Sequence, residues 1–266
     1  MKFAFSTLGC PDWSFGDIVS TAKDTGFDGI EIRGIGREIY VPNTKPFLPE
    51  NIGKSVETLK KTGLEISCLS SDNNLNERFK IDSHMKSAKE HIDLAAALKV
   101  RYVRVLIDSA PAPAAPVDFD AIAKDLRTLA AYAGERDVTV LVETNGAFAD
   151  SSVMLKMMEA VDSTHVAVLW DVHHPFRFFG EPVGLTYDRL KEHICYVHVK
   201  DSLVNNGNVE YQMMGYGDVP ILEAVKLLRE NRFSGYVTLE WLKRWCADLA
   251  EPGIVFPHFL LYLKNN

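Results

Sequence analysis

The feature that most constrains the fold of this 266-residue chain is an alternation of short apolar runs with longer amphipathic segments. Runs rich in β-branched and aromatic residues are typical of buried strands, and segments of 3.6-residue periodicity are typical of helices that cover a sheet. The alternation therefore indicates repeated βα units around a parallel sheet. Eight strands are predicted, near residues 2–7, 28–33, 64–70, 101–106, 138–143, 165–170, 194–200 and 235–240.

Helical patterns fill the intervals between these strands and follow the last one. They cover residues 15–25, 50–62, 83–99, 118–136, 151–161, 184–192, 219–230 and 247–264. An open doubly wound sheet usually has about five to seven strands, so eight βα units favour closure into a barrel. The linker-like stretch 110–116 (APAPAAP) falls in a βα loop, and no change of composition follows it. We predict an α/β fold, a (β/α)8 TIM barrel, with residues 1–266 as a single domain.

Composition narrows the function classes. The chain is 47% hydrophobic and carries a net charge of −7, which is typical of a soluble globular protein and disfavours a general nucleic-acid binder. No uncharged apolar run reaches the ~18 residues of a membrane span, and the first ten residues do not resemble a signal peptide. Four cysteines without a CxxC pair indicate thiols in a reducing compartment. A cytoplasmic protein is expected.

Acidic residues and a histidine stand at the ends of the last four predicted strands. They are Glu143, Asp171, His198 and Glu240. Strand ends of a barrel converge on one mouth, where unpaired carboxylates would repel one another unless a cation lay between them. Each residue alone is more often structural, but the four together favour a metal site. We predict one divalent ion, Mn²⁺, Mg²⁺, Co²⁺ or Zn²⁺.

Two predicted loops on the same face are long, residues 34–49 and 201–218. Barrel enzymes build their sites from such loops. The second loop contains Gly215 and Gly217, which either let the backbone bend over a ligand or form an ordinary tight turn.

Five segments at predicted strands carry a family resemblance: GFDGIEIR (26–33), LVETNG (141–146), LWDVHH (169–174), YVHVKD (196–201) and YVTLEW (236–241). They resemble segments of the xylose-isomerase-like TIM-barrel superfamily, the sugar phosphate isomerase/epimerase family, which includes xylose isomerase, ketose 3-epimerases, inosose dehydratase and endonuclease IV. The resemblance covers nearly the whole chain. It implies that Glu143, Asp171, His198 and Glu240 bind one metal and that His174 contacts substrate.

The resemblance implies a metal-dependent isomerase, epimerase or dehydratase acting on a small sugar or polyol-derived carbonyl compound. A metal that chelates a carbonyl and its neighbouring hydroxyl acidifies the C–H between them and stabilises an enediolate. Glu143 and Glu240 are the predicted catalytic acid–base pair. Two alternatives stay open: a barrel that binds sugar or metal without turnover, and an endonuclease IV-like phosphodiesterase. The oligomeric state, including a homo-oligomer, is left open.

Five further residues are predicted near the barrel mouth. Lys200 lies two residues after His198 and so on the same side of its strand, where it either contacts substrate or pairs with a mouth carboxylate. Arg33 either binds substrate or pairs with Glu31. Arg104 is predicted to be structural and to need a carboxylate partner. Of His173 and His174, one is expected to serve the site and the other to be a solvated loop histidine.

An aromatic wall is the last predicted element of the pocket. Trp13 is a candidate substrate contact, although a core tryptophan is an equally ordinary interpretation.

The sequence departs from two branches of the superfamily. Ketose 3-epimerases carry an arginine six residues after the histidine ligand and a glutamate six residues after the strand-5 ligand, where this chain has Val204 and Ala149. Endonuclease IV needs additional histidines, where this chain has Arg33, Ser70 and Arg104. These differences argue against a free-ketose 3-epimerase and against nucleic acid as a partner; a small carbohydrate is the expected partner.

Overall fold

Eight parallel strands close into a barrel in the computed structural model, which describes residues 1–113 and 116–266. The order around the barrel is β1-β10-β7-β6-β5-β4-β3-β2. Consecutive barrel strands are therefore neighbours, and β1 pairs with β10 to close the barrel. The strands β8 and β9 form a separate hairpin between β7 and β10. This confirms the predicted (β/α)8 fold. The barrel strands are β1 (Lys2–Ser6), β2 (Gly29–Ile32), β3 (Glu65–Asn74), β4 (Tyr102–Leu106), β5 (Thr139–Glu143), β6 (Val166–Asp171), β7 (Ile194–Val199) and β10 (Tyr236–Leu239).

Helices follow the strands and cover the outside of the barrel. The helix α1 shows how local sequence sets the bounds: Ser14 and Asp17 form a capping box at its start, and Gly26 ends it with φ of +85°. The helices are α1 (Phe15–Thr25), α2 (Ile52–Thr62), α3 (Ile81–Leu98), α4 (Phe119–Gly134), α5 (Ser151–Val161), α6 (His173–Phe179), α7 (Val183–Leu190), α8 (Ile221–Glu230) and α9 (Pro252–Asn265).

Three elements differ from the sequence-based prediction. The short helix α6 lies where a loop was predicted, because its backbone N–H groups are capped from inside the preceding strand by Asp171. The predicted loop 201–218 contains an antiparallel hairpin, β8 (Asp201–Asn205) and β9 (Asn208–Gln212). The last helix begins at Pro252, five residues later than predicted. Of the linker-like stretch 110–116, residues 114 and 115 lie outside the described part of the chain.

The hairpin turn is formed by Asn206 and Gly207, which have φ of +49° and +80°. Positive φ at both central residues is the geometry of a type I′ turn, for which Asn-Gly is the preferred sequence. The dipeptide is therefore a feature from which the hairpin could have been predicted.

The barrel interior changes from apolar to charged along its axis. Near the amino ends of the strands a small buried cluster fills the interior, and it includes Leu141, Leu169, Tyr196 and Tyr236. The Tyr196 hydroxyl closes this layer by hydrogen bonds with Ser67 (2.8 Å) and Thr238 (2.7 Å). Two residues further along the strands, the inward positions carry charge instead. A much larger apolar core lies between the strands and the helices.

Within the described residues no helix is long and apolar enough to cross a membrane. The four cysteines are free thiols, with Cys10 and Cys68 buried.

Candidate metal centre at the barrel mouth

The four predicted metal ligands converge at the carboxyl ends of the last four barrel strands. Glu143 ends β5, Asp171 ends β6, His198 lies in β7 and Glu240 follows β10. One donor atom of each lies within 4.8 Å of the donors of the other three. All four residues are buried. The structure thus brings together, at one place, residues separated by up to 97 positions in the sequence.

His198 provides the test of whether this cluster fits a cation. Its Nε2 hydrogen bonds with the Glu31 carboxylate at 2.6 Å, so in the neutral imidazole that donates from Nε2, the free lone pair is on Nδ1. Nδ1 is fully buried without a hydrogen-bond partner, 3.8 Å from Glu143 Oε1 and 3.6 Å from Glu240 Oε1. A carboxylate behind a histidine is the usual way in which proteins orient a metal-binding imidazole. The residues therefore fit a divalent cation placed between Nδ1 and the two carboxylates.

A guanidinium fixes Glu143. Arg104 donates one hydrogen bond from Nη1 to Glu143 Oε2 and another from Nη2 to the carbonyl of Ser71 at 3.1 Å. Burial alone would raise the pKa of Glu143, but the charge of Arg104 holds it well below the usual range. The carboxylate is thus ionised, with Oε1 left to face His198. The predicted carboxylate partner of Arg104 is Glu143.

Lys200 is buried and pairs with two of the candidate ligands. Its Nζ donates to Asp171 Oδ2 and to Glu240 Oε2, the latter at 2.6 Å. Although burial opposes ionisation, Lys200 and His198 lower the pKa of Glu240 to about 2. Lys200 was predicted either to pair with a mouth carboxylate or to contact substrate. The structure shows the ion pair, and the contact with substrate stays a prediction.

The two histidines of the LWDVHH segment are both buried, so the expectation that one is a solvated loop residue is wrong. They begin α6, whose N-terminus packs into the mouth. His174 Nδ1 hydrogen bonds with the carbonyl of Thr144 at 3.0 Å, and its Nε2 lies 3.8 Å from Asp171 Oδ2. His173 instead hydrogen bonds with Ser202 of β8 at 2.9 Å. Both histidines have a donor atom within 4.8 Å of Asp171, and His174 Nδ1 also lies 3.8 Å from Glu143 Oε1, so His174 is the one that borders two of the candidate ligands.

The remaining predicted contacts lie on the other side of the mouth. Arg33 follows β2 and is buried, but Glu31 pairs with His198, so the predicted Glu31–Arg33 pair does not form. Trp13 is half-buried and packs edge-on against Phe256, with ring centroids 5.7 Å apart. That contact is the core packing named as the alternative; a role in substrate binding stays a prediction.

Two features of the site were not predicted from the sequence. Glu31 was considered only as a partner for Arg33, yet it orients the candidate histidine ligand. Asp201 accepts hydrogen bonds from the backbone N–H groups of Gly215 and Gly217, both at 2.9 Å. A Cβ at Gly217 would lie 2.0 Å from Asp201 Oδ1, so this glycine permits the close approach of Asp201 rather than of a ligand.

A family model described as xylose isomerase-like TIM barrel matches residues 19–255. The chain belongs to this family. The match covers most of the barrel and includes the four candidate ligands. No curated protein sequence matches the chain.

Solved structures with the same fold have low sequence identity to this chain. The probable 3-DHS dehydratase AsbF of Bacillus anthracis superposes with a TM-score of 0.81 at 19% identity, over 100% of both chains. The 3-keto-D-glucoside 4-epimerase YcjR of E. coli gives 0.79 at 17%, again over 100% of both chains. A family member from Mycobacterium smegmatis in complex with magnesium gives 0.77 at 15%, over 99% of this chain and 95% of that one.

Proposed function

We propose that this protein is a divalent-metal-dependent isomerase, epimerase or dehydratase that acts on a small polyhydroxylated carbonyl compound. The observation that carries the proposal is the buried, unpartnered Nδ1 of His198, held between Glu143 and Glu240 and oriented from behind by Glu31. Membership of the xylose isomerase-like family supports it, as do structural neighbours that are an epimerase and a dehydratase.

Glu143, Asp171, His198 and Glu240 would hold the metal. Three carboxylates and one imidazole suit Mg²⁺, Mn²⁺, Co²⁺ or Zn²⁺, and a structural neighbour contains magnesium. When bound, such an ion polarises a carbonyl and makes the adjacent C–H more acidic.

Proton transfer is assigned to the two glutamates. Each has one oxygen in an ion pair, Glu143 with Arg104 and Glu240 with Lys200, and the other facing His198. The cations keep both carboxylates ionised, which is the form that a group must have in order to accept a proton from carbon. Proton return to the same carbon from the opposite face gives an epimer, return to the neighbouring carbon gives an isomer, and loss of a β-hydroxyl gives dehydration.

Lys200 and His174 would position the substrate oxygens. The Lys200 ammonium is a buried cation that can donate to a substrate hydroxyl or carbonyl while it pairs with Asp171. If His174 donates from Nδ1 to the Thr144 carbonyl, its Nε2 is an acceptor for a substrate hydroxyl. Burial lowers the pKa of His174, which favours this neutral form.

The test is solvent exchange at carbon. Metal-loaded protein is incubated in D₂O with a panel of ketoses, inososes and sugar acids, and deuterium at the α-carbon is followed by NMR. We expect exchange with at least one of these compounds and none with the Glu143→Gln variant. Glu230→Gln, an exposed change on α8, is the matched control and should exchange like wild type. Binding of a compound without exchange in any member of the panel would identify a binding barrel and contradict the proposal.

A further inference from the structure

Arg33 differs from Arg104 and Lys200, the other buried cations at the mouth, because no carboxylate of the described residues pairs with it. Glu31 pairs with His198, Glu143 with Arg104, and both Asp171 and Glu240 with Lys200. In residues 1–113 and 116–266, by contrast, the Arg33 guanidinium makes no hydrogen bond and no ion pair within 4.0 Å. Only 8% of the residue is exposed. None of its guanidinium nitrogens is among the buried side-chain atoms that lack a partner, so these nitrogens reach the solvent of the mouth and can donate to a bound ligand.

The backbone around Arg33 is fixed, so its side chain is directed by the fold. The Thr7 hydroxyl accepts from the Arg33 N–H at 2.8 Å and donates to the Gly34 carbonyl at 2.7 Å. Gly34 has φ of +92°, and a Cβ there would lie 2.6 Å from the Glu38 carbonyl oxygen. Arg33 follows the carboxyl end of β2 directly, and the charges of Arg104 and Glu240, two residues of the mouth, act on its guanidinium.

The charges around Arg33 do not neutralise it. Burial and the nearby guanidinium of Arg104 lower its pKa to about 10, and the carboxylates of Asp72 and Glu240 oppose that shift. Asp72 is exposed, so water screens its charge, and Glu240 already pairs with Lys200. Arg33 thus stays protonated at neutral pH, and no neighbouring carboxylate neutralises its charge.

The charge of the whole mouth points the same way. Four buried carboxylates and three buried cations give the mouth a net charge of −1 if His198 is neutral. A bound divalent ion would change this net charge to +1. A neutral sugar would leave this charge uncompensated, whereas a monoanion would balance it. The carboxylates are those of Glu31, Glu143, Asp171 and Glu240, and the cations are Arg33, Arg104 and Lys200.

We propose that the substrate is an anion, a sugar acid or a sugar phosphate, whose carboxylate or phosphate binds the guanidinium of Arg33. The planar guanidinium donates two parallel hydrogen bonds to either group, so Arg33 acts as the specificity determinant of the site. This inference rests on the proposed function, because it concerns the substrate of the same mouth.

Binding to protein that is not turning over tests the inference without an activity assay. Isothermal titration with gluconate, inorganic phosphate and neutral sorbitol is run on wild type and on Arg33→Gln, with and without Mg²⁺. We expect one of the two anions to bind wild type more tightly than sorbitol does. The affinity for that anion should fall by ~10–100-fold in Arg33→Gln, as is usual when a charged hydrogen-bonded pair is lost. The preferred anion identifies a carboxylate or a phosphate.

Two variants keep the result interpretable. Arg33→Lys retains the charge without the paired hydrogen bonds and should lose less affinity than Arg33→Gln, even if the glutamine variant folds poorly. Arg37→Gln removes an exposed cation from the same loop and should bind like wild type, which controls for general charge effects. Equal anion affinity in wild type, Arg33→Gln and Arg33→Lys overturns the inference.

Failure of this inference differs from failure of the proposed function. Deuterium exchange into a neutral ketose, with kcat/KM unchanged in Arg33→Gln, would contradict the anionic substrate and leave the metal-dependent chemistry intact. Arg33-dependent anion binding without exchange in any compound would support the anion site and contradict the proposed function.

Discussion

The two ends of the barrel interior differ more than any other two regions of the molecule, although the same strands build both. At the amino end, Leu141 of β5 and Tyr196 of β7 belong to an apolar cluster in which the Tyr196 hydroxyl is fully satisfied. At the carboxyl end, the next inward residues of these strands are Glu143 and His198, and His198 Nδ1 lacks a partner. A period of two along each strand thus separates an apolar layer that stabilises the fold from a layer of buried charged groups, in which we propose that a metal ion binds.

The largest effect on function is expected when a basic oxygen is removed from the mouth. Glu143→Gln keeps the size of the side chain and a carbonyl that can face the metal, but it cannot accept a proton from carbon. We expect turnover to fall by roughly 10²–10⁴-fold while part of the metal is retained. Metal content, melting temperature and deuterium exchange are measured on the same samples. Activity per bound metal equal to wild type would rule out a proton-transfer role for Glu143.

A smaller effect is expected one layer behind the candidate ligands. Glu31→Gln keeps a hydrogen-bonding group behind His198 but removes the charge that orients and polarises the imidazole. Metal affinity should fall by roughly 10–100-fold, as is usual when such a partner is lost. Competition with a chromophoric chelator measures it. Because Arg104 holds Glu143 independently, activity at saturating metal should be less affected than in Glu143→Gln. An unchanged affinity would mean that Glu31 only fills space.

The smallest effect on function is expected at the amino end. Tyr196→Phe removes the hydroxyl shared by Ser67 and Thr238 and leaves two buried hydroxyls without that partner. The free energy of unfolding should fall by ~1–3 kcal/mol, measured by urea denaturation. Deuterium exchange per folded molecule should match wild type. A loss of exchange with unchanged stability would show that the amino-end layer takes part in function and does not only stabilise the fold.

The architecture and the position of the site follow from the sequence because both depend on local patterns. Strand periodicity predicts the barrel, and strand ends in a closed barrel must meet, so Glu143 and Glu240 could be paired without coordinates. The partners of these residues could not be predicted, because they depend on register between distant strands. Glu31 pairs with His198, which is 167 positions away, and not with the oppositely charged Arg33, which is two positions away.

Local chemistry explains the elements that were missed. The helix α6 depends on Asp171, which was considered as a metal ligand and also accepts from the N–H groups of His173 and His174. That second role buries both histidines and makes the expectation of a solvated one wrong. Asn206-Gly207, a dipeptide typical of two-residue hairpin turns, is the local feature that predicts the hairpin after β7.

The metal stoichiometry of the purified protein and of its His198→Ala variant decides whether the barrel mouth is a metal site. The chain is stripped with a chelator, reconstituted with Mn²⁺ or Mg²⁺, and analysed for bound metal by elemental analysis and for affinity by titration. We predict one divalent ion per chain in wild type and a much weaker site in His198→Ala, in which the remaining carboxylates surround an incompletely held ion. No bound metal, three ions per chain, or equal affinity in the two proteins would contradict the account of the barrel mouth.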